Sequence, residues 1–266
     1  MSDVTVRRPV TWASCAATDV GTVRAVNEDA VLDKPEFGLW AVADGMGGHE
    51  AGNVASQMIV DALGELGRPQ VLNDFVNQIE NRIIDVNARL LEYSEIMLDG
   101  RMSGSTVVSL VIHGHVGACL WMGDSRLYRY RGNRLQQISR DHSQVSELLQ
   151  AGAITEEEAR HHPESNVITR AVGTNEIPYV DVDVFDVRLG DVLLLCSDGL
   201  YNALDEVSIT ACLDSAEPEQ MVAQLIDSAL THGAADNVSV IAVKGIRGGM
   251  PAATAPEQAE QVHSDE

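Results

Sequence analysis

The chain has 266 residues, with 18 lysines and arginines against 40 aspartates and glutamates, for a formal net charge of −22. That balance argues against a nucleic-acid binder or a protein of anionic membrane surfaces, because both would repel it. No apolar run approaches the roughly 20 residues of a membrane span, residues 1–12 lack the apolar stretch of a signal peptide, and a cytoplasmic protein is expected.

A hydrophobic fraction of 45% is ordinary for a globular protein. A chain of this length buries a core without staples. The cysteines Cys15, Cys119, Cys196 and Cys212 form no CxxC pair. They read as buried structural thiols, not as disulfides or zinc ligands.

Taken in order, a first strand is expected over 10–18, and Asp19-Val20-Gly21 turns the chain. Residues 22–29 form a polar segment with one guanidinium, Arg24, and two adjacent acids, Glu28 and Asp29. A second strand spans 30–32. Residues 39–43 are short, apolar and bounded by turn formers, the pattern of a buried strand. Asp44 would stand at that strand's end, followed by Gly45, Gly47, Gly48 and His49. An ordinary Asp-Gly turn and a hard-cation site of carboxylate and exposed carbonyls are both open there.

Apolar residues from Ala51 to Leu66 recur at helical spacing, and Gly67 with Pro69 ends that helix. A second helix over 71–95 follows after a short connection, as between antiparallel neighbours. Strands are expected at 105–112 and 115–122, with His113 and His115 as exposed residues bracketing a turn. The second strand ends at Gly123-Asp124. Another hairpin folds around Gly132-Asn133. Residues 139–171 are polar, with a short helix at 145–150 and an acidic run at 156–158. They read as a surface excursion in which Asp141-His142-Ser143 is a site or a helix cap. Val180, Val182 and Val184 alternate with aspartates as a half-exposed strand. An inner strand over 191–196 ends in Ser197-Asp198-Gly199. Helices at 205–213 and 218–232, the latter opened by Pro218, precede Asp236-Asn237 and a last strand at 238–243. From residue 247 onward the composition is that of a disordered tail.

Hairpins dominate, and strands do not alternate with helices. The pattern is α+β: antiparallel sheets covered by helices, not a doubly wound parallel sheet. Asp44, Asp124 and Asp198 each end an apolar strand beside a glycine, and Asp236 precedes one. So many carboxylates at strand ends oppose folding unless cations offset them. An all-oxygen set suits Mg²⁺ or Mn²⁺ and not zinc. Two such ions a few ångströms apart activate water and polarise a phosphoryl group. Arg24 offers a planar fork for phosphate oxygens, and His49 a proton for a leaving alkoxide.

In order, the pieces are Asp19-Val20-Gly21 through Glu28-Asp29, Asp44-Gly45-Met46-Gly47-Gly48-His49, Gly104-Ser105-Thr106, Gly123-Asp124-Ser125-Arg126, Asp141-His142-Ser143, Ser197-Asp198-Gly199-Leu200 and Asp236-Asn237-Val238-Ser239. Together, over about residues 10–245, they resemble the PPM family of metal-dependent phosphatases, the type-2C serine/threonine phosphatases, in a bacterial form. The resemblance implies an α-β-β-α sandwich: two antiparallel sheets face to face with helices on both outer faces, as a catalytic domain over 1–246. It implies that Asp44 bridges two metals and that the Gly45 carbonyl completes the first site. Glu28, Asp198 and Asp236 would hold the second metal, and Asp124 with Asp198 a third. Arg24 would bind the substrate phosphate, His49 would act as general acid, and Asp29 and Asn237 would support the ligands from behind. A mobile flap is expected at about 144–165. Gly104-Ser105-Thr106 departs from the commoner Gly-Thr-Thr but keeps a hydroxyl. The implied partners are phosphorylated serine/threonine proteins and a cognate kinase, met by a monomer. A non-catalytic phosphoprotein-binding module and a hydrolase dedicated to one regulatory partner are the competing readings. The first would be expected to have lost Asp44, Asp198 or Asp236, and all are present.

Overall fold

The computed structural model describes residues 10–48, 50–68, 70–160, 162–164, 167–215 and 217–247. Apolar side chains on both faces of the inner strands set the architecture. In β3 (Leu39–Met46), Leu39, Ala41 and Ala43 face one way and Trp40 and Val42 the other, and all five are fully buried. In β10 (Val192–Cys196) the same alternation sends Leu193 and Leu195 to one side and Val192, Leu194 and Cys196 to the other. Strands buried on both faces need covering layers on both, which is why they read as unbroken apolar runs.

The first sheet runs β1 (Val10–Asp19), β11 (Val238–Arg247), β10, β7 (Arg126–Arg131) and β8 (Arg134–Gln137). The second runs β2 (Asp29–Lys34), β3, β5 (Val107–His113), β6 (Val116–Met122) and β9 (Asp181–Asp186), with the two-residue β4 (Gly104–Ser105) on the end of β3. Every pairing between these strands is antiparallel. Trp40, Val42, Leu110 and Trp121 meet Leu193, Leu195, Ile241 and Val243 between the sheets. Helices α1 (Glu50–Gly64) and α2 (Leu72–Met97) cover the second sheet, with Ile59, Leu63, Phe75, Ile79, Ile83 and Leu90 buried against it. Helices α5 (Asp198–Ala203), α6 (Glu206–Leu213) and α7 (Pro218–Thr231) cover the first through Leu200, Ile209, Met221 and Leu225. This is the α-β-β-α sandwich that the sequence predicts.

Several details differ from expectation. β3 does not end before Asp44; it continues through Gly45 and Met46, because β4 pairs with those residues. The strand expected over 105–112 is accordingly split at Thr106, whose backbone N–H bonds the Asp44 carbonyl at 2.8 Å. A short helix not expected from the sequence, α5, opens at Asp198 directly after β10. The surface excursion carries the expected short helix, α3 (Gln144–Gln150), and a second that was not expected, α4 (Glu156–Arg160). The acidic run lies in α4 because Thr155 and Glu158 cap it reciprocally, at 2.8 Å and 3.3 Å. Cys119 and Cys196 are buried as expected, but Cys15 and Cys212 are only half-buried. Arg247, expected to begin the tail, is the last residue of β11, and residues 248–266 lie outside the described set. Among the described residues no helix is long and apolar enough to cross a membrane.

Candidate active site

The carboxylates of interest share one end of the sandwich. β3 and β6 run in the same direction and lead to Asp44 and Asp124, while β10 leads to Asp198 beside the start of β11, where Asp236 precedes the strand. Asp29 opens β2 directly opposite Asp44 in the β2–β3 register. Like charges placed this way destabilise a sheet, so the sequence meets a cost here that its ordinary strand chemistry does not explain.

The surrounding backbone is fixed by buried polar side chains. Asn237, 5% exposed, accepts the Glu28 N–H at 2.8 Å and donates to the carbonyls of Val20 and Val26 at 2.9 Å and 3.0 Å. One amide therefore ties the segment carrying Arg24 and Glu28 to the foot of β11. The Glu28 carbonyl accepts Gly45 N–H at 3.1 Å and the Ser56 hydroxyl at 2.5 Å. A Cβ at Gly45 would lie 2.1 Å from the Gly52 carbonyl oxygen and 2.5 Å from that of Glu28. Only glycine lets β3 sit so close to α1 and the Glu28 turn. Thr106 Oγ1 bonds Ser125 Oγ at 2.7 Å and accepts the Asp44 N–H at 3.2 Å.

The electrostatics are those of crowded anions. Burial, then the carboxylates of Asp29, Asp198, Asp124 and Asp236, hold Asp44 well above the usual carboxylate range. Burial followed by Asp124, Asp236 and Asp29 pushes Asp198 up to about 7, against a smaller opposing pull from Arg24. Asp124 is pushed up to about 6, first by burial and then by Asp141, while Tyr201 bonding lowers it. Asp29 also rises to about 6, chiefly through burial, although the hydroxyls of Ser239 and Ser197 favour its anion. Each rise marks a group whose charge has no adequate counter-charge. Asp29 Oδ1 and Asp124 Oδ1 are buried with no hydrogen-bond partner. Arg24 Nη2 lies 2.7 Å from Asp236 Oδ2, and Arg126 draws Asp124 weakly down. The bond to Asp236, above all, raises the Arg24 guanidinium's own pKa.

Among the described residues no three acidic, histidine or cysteine side chains close on one point as a finished cage. The donor set nonetheless fits hard divalent cations. It is all oxygen, it contains orphaned buried oxygens, and its raised pKa values are what an added positive charge would reverse.

The structure thus gathers Asp29, Asp44, Asp124, Asp198, Asp236, Arg24, Glu28, Gly45 and Asn237 at one end of the molecule. His49 lies outside the described residues. Sequence reading missed several supports. Ser197 Oγ donates to Asp29 Oδ2 at 2.8 Å, and Tyr201 hydroxyl reaches Asp124 at 3.1 Å and 3.3 Å. Arg126 stacks on the Tyr201 ring at 3.5 Å while gripping Asp141 through Nε and Nη2 and donating from Nη1 to the Tyr128 hydroxyl. Asp141 is therefore a structural partner, and Ser143 caps α3 by accepting the Ser146 N–H. Only the position of Tyr201, one helical turn after Asp198, could have hinted at these supports.

The Protein phosphatase 2C family model matches residues 22–230. The serine/threonine phosphatase stp of Listeria welshimeri is 36% identical over 235 residues, which cover 85% of this chain and 93% of that one. Among solved structures, PppA, described as a key regulatory component of T6SS in Pseudomonas aeruginosa, is 42% identical with a TM-score of 0.84, covering 90% of this chain and 100% of that one. The catalytic domain of the serine threonine protein phosphatase PstP, in complex with 2 manganese ions, is 33% identical with a TM-score of 0.81, covering 89% and 99%.

Proposed function

The chain belongs to the protein phosphatase 2C family and is a metal-dependent protein-serine/threonine phosphatase, and we propose that its catalytic centre is the carboxylate cluster at the open end of the sandwich. The observation that carries this reading is the crowding of Asp29 and Asp124, buried, with Asp44 and Asp198, half-buried, without a cationic partner for each. Asp44 and the Gly45 carbonyl would hold one cation, Glu28, Asp198 and Asp236 would hold a second, and Asp124 with Asp198 would hold a third. When bound, Mn²⁺ or Mg²⁺ supplies an activated water at neutral pH and neutralises phosphoryl oxygens.

The chain's own groups do the rest. Asn237 and Ser56 fix the Glu28 turn, so that its carboxylate is delivered to the cluster at little entropic cost. Asp29, held by Ser197 and opposite Asp44 in the strand register, would orient water in the site. Arg24 is half-exposed and bonded to the cluster only through Asp236. It is placed to exchange that carboxylate for two oxygens of a substrate phosphate. His49 protonates the departing serine or threonine oxygen. General acid catalysis is worth about 10²–10⁴-fold. His49→Ala should therefore slow phosphothreonine peptide hydrolysis strongly and p-nitrophenyl phosphate, whose leaving group needs no proton, much less. Equal losses on both substrates would reject the acid role.

Phosphoproteins are the substrates. Opposition to a serine/threonine kinase in the cytoplasm, by a monomer, belongs to the same proposal, and the likeness to PppA supports a regulatory role. The direct test is phosphate release from a phosphothreonine peptide with Mn²⁺ and with excess chelator. Full activity in chelator would reject the metal mechanism.

A further inference from the structure

A cleft of about 190 Å³ opens beside the carboxylate cluster, lined by Met46, Met102, Ile168, Thr169, Arg170 and Ala171. Its connection to the centre is covalent and short. Met46 follows Asp44 by two residues in β3, so both side chains leave the same face of the strand, about 7 Å apart.

The walls are built before any ligand arrives. Ser105 and Val172 exchange backbone hydrogen bonds at 3.0 Å and 2.9 Å. Asn87 of α2, 1% exposed, accepts the Gly173 N–H at 2.7 Å and donates to the Asn175 carbonyl at 2.9 Å. Thr174 Oγ1 donates to the Ala171 carbonyl at 2.8 Å. Opposite, Gly47 adopts φ 136°, and a Cβ there would lie 2.6 Å from the Met102 carbonyl oxygen, so the end of β3 and residue 102 are pressed together. A rigid cleft loses little entropy on binding.

Half of its lining is apolar, from Met46, Met102, Ile168 and Ala171, and half is polar, with Thr174 and Asn175 in it. Met102 is 53% exposed, a large apolar side chain left at the mouth. Methionine pairs of this kind adapt to varied apolar shapes. Thr169 Oγ1 is buried without a hydrogen-bond partner. Arg170 is turned aside, 3.8 Å from Asp181 and 6.0 Å from the Tyr179 ring. An apolar cavity of about 150 Å³ takes a benzene ring, so this one admits a side chain of leucine or methionine size. A chain of net charge −22 does not attract an anionic phosphoprotein at long range. Affinity must come from short-range contacts near the centre.

We propose that this cleft is a specificity subsite that receives an apolar side chain of the phosphoprotein, two residues from the phosphorylated one. Extended substrate advances about 3.3–3.6 Å per residue, so two residues span the separation of Asp44 and Met46. The inference rests on the assignment of the catalytic centre to the Asp44 cluster.

The test compares phosphothreonine peptides that differ only in carrying leucine or serine at the −2 or the +2 position, with p-nitrophenyl phosphate as a substrate that has no flanking residues. With saturating Mn²⁺, leucine at one of these positions should raise kcat/KM about 10- to 100-fold. Met102→Ser and Ile168→Ser should each bring the leucine peptide toward the serine peptide while p-nitrophenyl phosphate turnover stays as in the wild type. Equal kcat/KM for leucine and serine at both positions overturns the subsite, as does a preference that survives both substitutions. A wild-type chain that hydrolyses no p-nitrophenyl phosphate with Mn²⁺ overturns the catalytic assignment and the subsite together, a result distinct from an active enzyme without preference.

Discussion

Two aspartates flank β10, and their surroundings are opposite. Asp191, 1% exposed, precedes the strand and is gripped by Arg131 at 2.6 Å and 2.7 Å and by the Arg188 N–H at 2.7 Å. Asp198 follows the strand, meets no arginine fork, and is pushed up to about 7 by burial and by Asp124, Asp236 and Asp29. One end of the strand solves the problem of a buried charge inside the chain; the other leaves it for something outside the chain to solve. On the proposed assignment, the difference separates a carboxylate that serves the fold from one that serves chemistry. The sharpest way to break it is Asp44→Asn, at the centre of the unsolved end. Turnover should fall on the order of 10³-fold or more, as expected when cation binding worth several kcal/mol is lost. The melting temperature of the metal-free protein should hold or rise, because a buried like charge has gone. A wild-type rate would mean that Asp44 is an ordinary strand residue.

The other end should respond in the reverse sense. Arg131→Ala leaves Asp191 buried and unpaired, which costs about 3–5 kcal/mol. Urea denaturation should show that loss, and kcat measured well below the transition should be unchanged. A variant as stable as the parent would erase the distinction between the two ends.

The pH dependence of the metal-free protein follows from the same contrast. Asp29 and Asp198 rise from 3.8 to about 6 and about 7 on folding. Between about pH 4 and 7 the native state therefore binds more protons than the unfolded state, and stability falls as pH climbs through that window. In chelator the protein should melt higher at pH 5 than at pH 7.5, and added Mn²⁺ should close the gap by restoring stability at the higher pH. A chelated protein that is more stable at pH 7.5 would show that these carboxylates are compensated within the chain.

Much of this was legible without coordinates, for identifiable reasons. The apolar runs at 39–43 and 191–196 announced strands covered on both faces, and helical spacing from Ala51 and from Val71 announced the layer outside them. Composition carries burial, so these survived. The aspartates were legible as misfits, since Asp44 and Asp198 interrupt apolar runs that have no use for charge. What sequence could not give was partnership. Asp141 and Asp198 both sit in short polar clusters after strands, yet only Asp141 finds Arg126. The extension of β3 through Met46 was hidden because it depends on β4, a pairing formed across more than fifty residues. The cleft beside Met46 was hidden for the same reason, since Met102 and Ile168 meet it only in the folded chain.

The smallest predicted effect sharpens the comparison at its margin, where Arg24 reaches the acidic end from the segment before β2. Arg24 bonds Asp236 at 2.7 Å, but the two side chains are 53% and 37% exposed, unlike the pair of Arg131 with the buried Asp191. An exposed ion pair contributes about 0–1 kcal/mol. Arg24→Ala should therefore leave stability within about 1 kcal/mol of the parent, where Arg131→Ala does not. Its effect belongs to substrate. Hydrogen bonds to a charged group are worth about 1.5–3 kcal/mol, so KM for a phosphothreonine peptide should rise about 10-fold or more, with kcat changing less if the contact is made equally in the ground and transition states. Arg24→Lys keeps the charge but not the planar fork, and should recover only part of the loss. A substantial fall in stability with KM unchanged would move Arg24 from the reacting end of the molecule into the class of Arg131, a guanidinium kept to hold an aspartate in place.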